Sequence, residues 1–224
     1  LELPRCHIGI QRRWLLVIIL REIPSYQVHI PFREQQRIAR HRGDGGILGT
    51  RHGPKKEVFE KVLEDRLKEL VGTEDEPDSI TFSGNGEPTL HPDFVEIIDI
   101  TINLRNKYIP NAKISVLTNG TMLHKKEIFD AISKIDNNII KIDGGTYETI
   151  KAINKPNVDF DLNQYIELLK KFNGNLIIQT CFLRGKHNDF IIDNTTKEEI
   201  DLWIEHIKNI KPRKTMVYAI DRET

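Results

Sequence analysis

Five short runs of β-type residues recur along the chain: SITFS at 79–83, KISVL at 113–117, NIIKI at 138–142, NLIIQTCF at 175–182 and TMVYAI at 215–220. Upstream of them, GPKKEVFEKVLEDRLKELVG sets Val58, Val62, Leu63, Leu67 and Leu70 at helical spacing. Pro54 falls at a first helical position and Gly72 at a C-terminal cap, so the stretch predicts an amphipathic helix. Three further helices carry end signals. Pro92 opens HPDFVEIIDITINLRNKY, Asp161 and Gly174 bracket a segment rich in leucine and isoleucine, and Thr196 with Glu199 forms a capping-box pattern. One helical pattern separates each pair of strands. Such alternation predicts a parallel sheet with right-handed crossovers, as an open doubly wound sheet or a full or partial barrel. Both architectures place ligands at the carboxyl ends of the strands.

At those ends the sequence turns polar. Strand 79–83 runs into Ser83-Gly84-Asn85-Gly86-Glu87-Pro88, strand 113–117 into Thr118-Asn119-Gly120, strand 138–142 into Asp143-Gly144-Gly145, and strand 215–220 into Asp221-Arg222. Period-2 alternation puts Lys141 and Asp143 on one face and Ile140 and Ile142 on the other, as helices outside and a polar lumen inside require. The alternative for this pair is an ion pair that only closes the sheet, since buried charges are usually paired.

Composition divides the chain near residue 54. Residues 1–53 carry nine arginines and no lysine, and everything beyond carries five arginines and nineteen lysines; four of the eight histidines also fall in the first segment. The domain reading is an atypical Arg-rich segment over 1–53 and a (βα) domain over 54–224. Equal totals of 33 basic and 33 acidic residues give no overall basic field that advertises nucleic acid, although a balanced total can hide a local patch. The longest apolar run, WLLVIIL at 14–20, is too short to span a bilayer and no signal-peptide cleavage pattern follows it, so a cytoplasmic protein is expected. Cys6 and Cys181 are the only cysteines, too few for a disulfide framework or for a cysteine-based metal site.

Chemically, Gly84 and Gly86 allow close backbone approach to a ligand and positive φ, while Pro88 holds Glu87 extended. Free carbonyls and a carboxylate there suit an ammonium group. The spacing is not GxGxxG, and no GxxxxGK[ST] phosphate loop occurs. Taken alone, Gly-x-Gly-Glu-Pro is also compatible with an ordinary βα turn.

In context, ITFSGNGEPTLHPDF, VLTNGTML, NNIIKID, LIIQTCFLRG and VYAIDRET together resemble the radical S-adenosylmethionine (radical SAM) enzymes, in particular cytosolic members related to the wyosine-forming tRNA-modifying enzymes. The resemblance runs from about residue 54 to the end. It implies an α/β fold, a six-stranded partial (βα)6 TIM-like barrel. Gly84, Asn85, Gly86 and Glu87 match the motif that holds the amino group of S-adenosylmethionine. Asn119, Lys141 and Asp143 match positions lining the cofactor cavity, and Gln179, Arg184 and Tyr218, on the last two strands, match positions that help bind its adenosine and carboxylate. In the family, a [4Fe–4S] cluster fed by an electron donor cleaves S-adenosylmethionine reductively to a 5′-deoxyadenosyl radical.

The family's Cys-x3-Cys-x2-Cys loop, which follows its first strand, has no counterpart here, and histidine or carboxylate is no substitute for those soft thiolates. The first strand and the cluster loop are therefore expected to be absent and the chain inactive as written. A change of reading frame over residues 1–53 accounts for both the lost motif and the composition break; an alternative N-terminus is the rival. The family resemblance also leads us to expect truncation at the C-terminus.

Two other readings stand beside this one. The rim could bind S-adenosylmethionine or a nucleoside without iron, or His91, His124 and Glu87 could serve a metal-dependent hydrolase, against which stand capping and surface roles for both histidines. Lys125, Lys126, Lys170, Lys171, Lys208, Lys211, Arg213 and Lys214 could face RNA, although such charges usually form a solvated helix face. An RNA substrate is implied by family analogy alone.

Overall fold

The computed structural model describes residues 55–83, 87–156, 160–187 and 190–219, together with the backbone of 15–18. Six strands form one parallel sheet: β1 (Leu15–Ile18), β2 (Ser79–Phe82), β3 (Lys113–Thr118), β4 (Asn137–Lys141), β5 (Ile177–Phe182) and, after the hairpin strands β6 (Arg184–His187) and β7 (Phe190–Asp193), β8 (Lys214–Ala219). The spatial order is β1-β2-β3-β4-β5-β8, so each crossover returns the chain to the neighbouring position. The helices are α1 (Lys56–Leu70), α2 (Phe94–Tyr108), α3 (Lys126–Ser133), α4 (Tyr147–Asn154), α5 (Leu162–Lys170) and α6 (Lys197–Ile210), with a short 3-10 turn at Pro88–Leu90.

The sheet's two faces follow from residue alternation. Ile80, Phe82, Ile114, Val116, Ile140, Ile142 and Ile178 are fully buried and pack with Leu67, Phe94, Ile97, Ile98, Ile132 and Leu169 of the helices. Each such side chain stabilises the fold by about 1.5–3 kcal/mol through burial. The alternate positions mix polar residues with Leu117, Ile139 and Ile177, and the polar ones bond to one another. Ser79 Oγ lies 3.3 Å from both Thr81 Oγ1 and Ser115 Oγ, and Asn137 Nδ2 donates to Ser115 Oγ at 3.0 Å. At the same amino ends of the strands, Asp136 accepts from Ile114 N and Arg105 Nη1 at 3.0 Å and pairs with Lys113 Nζ at 3.2 Å. That carboxylate joins α2 to the start of β3 at the foot of the sheet.

Several expectations are corrected. The first strand, expected to be absent, is present: Leu15–Ile18 pairs in parallel with Ser79–Phe82. Two helices, α4 and α5, lie between β4 and β5 where one was expected, and the β6–β7 hairpin follows β5 directly. The hairpin went unread because its four-residue strands, one of them RGKH, carry no apolar alternation. In α1 the buried stripe is Phe59, Leu63, Leu67 and Leu70, and Val58 is 51% exposed, one residue off that stripe. Helix α2 begins at Phe94, two residues after Pro92. Asp161 caps α5 by accepting from Gln164 N at 3.0 Å, and Gly72 and Gly174 take positive φ as end signals do. Pro54 lies outside the described residues.

The capping box at α6 is half formed. Thr196 Oγ1 accepts from Glu199 N at 3.3 Å, but the Glu199 carboxylate turns away to the loop after β4. Among the described residues no helix is long and apolar enough to cross a membrane.

Candidate functional site

The carboxyl ends of β2, β3, β4 and β5 are joined by side chains into one hydrogen-bonded rim. It starts at Glu87, which caps the 3-10 turn. Glu87 Oε1 accepts from Thr89 N at 3.2 Å, Thr89 Oγ1 at 2.6 Å and Thr118 Oγ1 at 2.5 Å, and Oε2 accepts from Asn119 N at 2.7 Å. The carboxylate is thereby fixed to the end of the next strand, and Pro88 at the first turn position supports the extended backbone (φ −98°, ψ 114°) that directs it there. Asn119 turns its own side chain into the following loop, where Oδ1 accepts from Thr121 N at 3.0 Å and Thr121 Oγ1 at 2.7 Å.

From Asn119 the rim passes through Tyr165 of α5, whose hydroxyl reaches Asn119 O at 3.1 Å and Lys141 O at 3.2 Å. Burial, with the Glu87 and Asp143 carboxylates nearby, holds this phenol well above its ordinary pKa. Gly120 makes room for it. A Cβ there would meet the Tyr165 hydroxyl at 2.2 Å, and its φ is +74°.

Lys141 Nζ stands 2.8 Å from Asp143 Oδ2, with the lysine side chain 30% exposed and the aspartate fully buried. Burial works against the ammonium's charge, but the ion pair with Asp143 outweighs that and holds its pKa above the ordinary value. Lys141 is Asp143 Oδ2's one partner among the described residues. The other oxygen has a different role. The β4–β5 ladder runs to Lys141 opposite Gln179, and beyond it Asp143 Oδ1 accepts Cys181 N at 2.8 Å, a side chain standing where a strand carbonyl would be.

Three residues outside the strands hold this end of β4. Asn194, nearly fully buried after the hairpin, donates through Nδ2 to Asp143 O at 2.8 Å and Cys181 O at 2.7 Å, and its Oδ1 accepts Leu183 N at 2.7 Å. Glu199 Oε2 accepts from Gly145 N at 2.7 Å and Thr146 N at 3.2 Å, and Oε1 accepts from Thr146 Oγ1 at 2.6 Å and Thr149 Oγ1 at 2.8 Å. His206 Nε2 completes the set by donating to Gly145 O at 2.8 Å. Burial opposes the Glu199 charge, yet the four donors prevail and its pKa is lowered. Gly145 permits the approach of α6, since a Cβ would lie 2.4 Å from Glu199 O.

Of the residues expected at the site, Glu87, Asn119, Lys141 and Asp143 are drawn together by this network. Gln179 is half-buried opposite Lys141 in the ladder, and Tyr218 lies opposite Cys181 on β8, partly exposed. Burial raises the Tyr218 phenol and, with Asp143 beside it, the Cys181 thiol above their ordinary pKa values. Arg184 is corrected in position. It is not on the last two sheet strands but opens the β6–β7 hairpin, 78% exposed and 3.3 Å from Asp193 Oδ2. Gly84, Asn85, Gly86 and Cys6 lie outside the described residues. Thr118, Tyr165, Asn194 and Glu199 were not read from the sequence as site residues. Thr118 stood in a strand end read as part of the polar rim, and Glu199 carried a signal that pointed to a cap.

His91 Nδ1 accepts Asp93 N at 3.1 Å where α2 begins, and exposed His124 Nδ1 donates to Thr121 O at 2.9 Å. Among the described residues no group of three or more histidine, cysteine or carboxylate side chains is placed to hold a metal ion.

A parallel (βα) sheet with a polar face and a rim of fixed charges at its strand ends defines a partial-barrel protein of the kind that takes ligands at the carboxyl edge. The chain matches the model of the Radical SAM superfamily over residues 39–207, well over half its length, and it belongs to that superfamily. The match begins inside the Arg-rich segment.

The chain is 32% identical over 162 residues to a Brachyspira hyodysenteriae protein named GTPase Obg, covering 70% of this chain and 22% of that one. It is 30% identical over 146 residues to UPF0026 protein slr1464 of Synechocystis, covering 63% and 50%. The fold is similar to that of Escherichia coli coproporphyrinogen III oxidase, a radical SAM enzyme, with TM-score 0.52, 13% identity and coverage of 92% and 44%. The crystal structure of archaeal TYW1 gives TM-score 0.42 with 19% identity over 75% of this chain and 57% of that one. The chain thus spans half or less of the length of these two curated relatives.

The superfamily's two groups fit this chain differently. Two cysteines cannot supply three thiolates, none occurs between β1 and residue 54, and Cys181 is buried within β5, so the residues present do not fit a [4Fe–4S] cluster. The zwitterionic end of S-adenosylmethionine does fit. Glu87 Oε2 accepts one donor and retains acceptor capacity, and the partly exposed Lys141 ammonium keeps donors beyond the one facing Asp143.

Proposed function

We propose that this chain binds S-adenosylmethionine, or a nucleoside bearing a similar zwitterionic arm, at the strand-end rim in the cytoplasm, and that as written it does not cleave the cofactor reductively. The observation that carries the reading is the Glu87 carboxylate, fixed at the rim by Thr118, Thr89 and the Asn119 N–H. Glu87 would receive the ammonium group of the ligand and Lys141 an anionic or hydroxyl oxygen. Gln179 and Tyr218, on the same polar face, would line the remainder. When bound, S-adenosylmethionine supplies an electrophilic sulfonium, and the chain's own residues bind and orient it.

Isothermal titration with S-adenosylmethionine tests this. Wild-type protein should bind and Glu87→Gln should bind at least about tenfold more weakly, the loss of one charge-assisted hydrogen bond. Anaerobic reconstitution with iron and sulfide followed by dithionite should yield no 5′-deoxyadenosine. Equal affinity of the two proteins would defeat the binding assignment, and product formation would defeat the inactivity.

The two readings of residues 1–53 separate at the DNA. Composition and the missing cysteines favour a frame change, whereas β1, which falls in this segment, favours a genuine N-terminus. Resequencing with translation in three frames should reveal a Cys-x3-Cys-x2-Cys loop if the first is right. Any RNA partner rests on the motif resemblance and would show as tRNA binding that is lost at high salt.

A further inference from the structure

We infer that Asn194 and Glu199 are positioning residues for the site: together they bracket the end of β4 and thereby set where Asp143 holds the Lys141 ammonium. The inference rests on reading the rim as a ligand site, and it concerns two residues to which neither the motif resemblance nor the family match assigns a role.

The geometry is specific. The last β4–β5 backbone bond runs from Ile142 N to Gln179 O at 3.0 Å, and Thr180 Oγ1 donates to Ile142 O at 2.7 Å, so the ladder reaches Ile142 and stops one residue short of Asp143. Asn194 spans the gap. One amide group touches the carbonyls of both Asp143 and Cys181 while its oxygen takes Leu183 N, so three backbone groups from two strand ends meet at one side chain. Glu199 secures the other side of Asp143 by gathering the two N–H groups and two hydroxyls of the 145–149 turn. Both side chains are buried, so water does not compete for these bonds. Held from both sides, Asp143 presents Oδ1 to Cys181 N and Oδ2 to Lys141 Nζ. Neither bracket residue needs to touch a ligand. Each acts through Asp143, and Asn194 also through Cys181.

The test uses the Cys181 thiol as a reporter, in the full chain with Cys6→Ser so that one thiol remains. The charged and titratable groups acting on it are Asp143, Lys141 and Tyr218. The pH midpoint of iodoacetamide alkylation is measured in a double-mutant cycle of Asn194→Ser and Asp143→Asn, because the thiolate is the reacting form. Asp143→Asn removes a negative neighbour and should lower the midpoint. Asn194→Ser adds no charge but frees Asp143, and should lower it by about one pH unit, a tenfold change in thiolate fraction. In the Asp143→Asn background, Asn194→Ser should shift the midpoint by less than half as much, the remainder being what its own bond to Cys181 O transmits. A general loosening would raise the alkylation rate at every pH and add in both backgrounds, which would overturn the inference. If Asn194→Ser fails to fold, Glu199→Gln replaces it in the same cycle with the same expectation.

Titration of S-adenosylmethionine into an Asn194→Ser and Lys141→Met cycle then separates the two claims. Non-additive loss of affinity supports both. A non-additive Cys181 cycle in a protein that binds no S-adenosylmethionine sinks the proposed function and leaves the positioning role standing, and an additive Cys181 cycle sinks the positioning role whatever binds.

Discussion

Gly120 and Tyr165 show how much a single residue can decide at this rim. Alanine at 120 would have to hold a left-handed backbone and displace a tyrosine hydroxyl that serves two carbonyls. We expect Gly120→Ala to cost about 2–4 kcal/mol and Tyr165→Phe, which only strands the carbonyls, about 1–3 kcal/mol, both read as shifts in the urea midpoint. The sequence made Glu87, Asn119, Lys141 and Asp143 readable because glycines, prolines and charges at strand ends are conspicuous against apolar strands. It could not show Tyr165 or Asn194. A tyrosine among leucines in an amphipathic helix looks like core, and an asparagine in a polar turn looks like solvent-facing loop. Their roles arise from partners 46 and 51 residues away in the chain.

Helix α6 is held at several points, two of which differ in kind. An apolar side packs on α5, and a carboxylate at its first turn grips the turn before α4. The second makes the stability of this region depend on pH. Glu199 has a folded-state pKa below its ordinary value of 4.5, so its contribution is present at neutral pH and is lost as the pH falls below 4.5 toward the folded value. Urea unfolding at pH 7 and pH 3.5 should show a larger loss of stability in wild type than in Glu199→Gln, which lacks the titrating group. The regular elements were legible where the apolar period ran for at least a full helix or strand: β2 to β5, β8, α1 and α2 fall within one or two residues of expectation. The eight-residue α4 and the four-residue strands of the hairpin offered no such run. At α6 the same Thr196-to-Glu199 spacing that signals a cap left the carboxylate free for a long-range partner, a distinction that local sequence does not make.

On the scale of the molecule, the described residues form one row of six parallel strands with β1 and β8 at its two ends. The edge at β8 is apolar, with Val217 59% exposed and Tyr218 beside it also exposed. Such an edge is a template for association. Sedimentation velocity should show concentration-dependent self-association that Val217→Lys reduces; an unchanged profile would mean the edge is already protected.

The side chain of Tyr165 has one more consequence. Because its hydroxyl bridges the second and third links of a chain running from Glu87 through Asn119, Lys141 and Asp143 to Cys181, four loops that would otherwise fluctuate separately are spliced into a single hoop. Hydrogen exchange at Asn119 and Cys181 should then slow or quicken in step, so that a molecule seated at one side of the mouth is registered by amide protons on the far side.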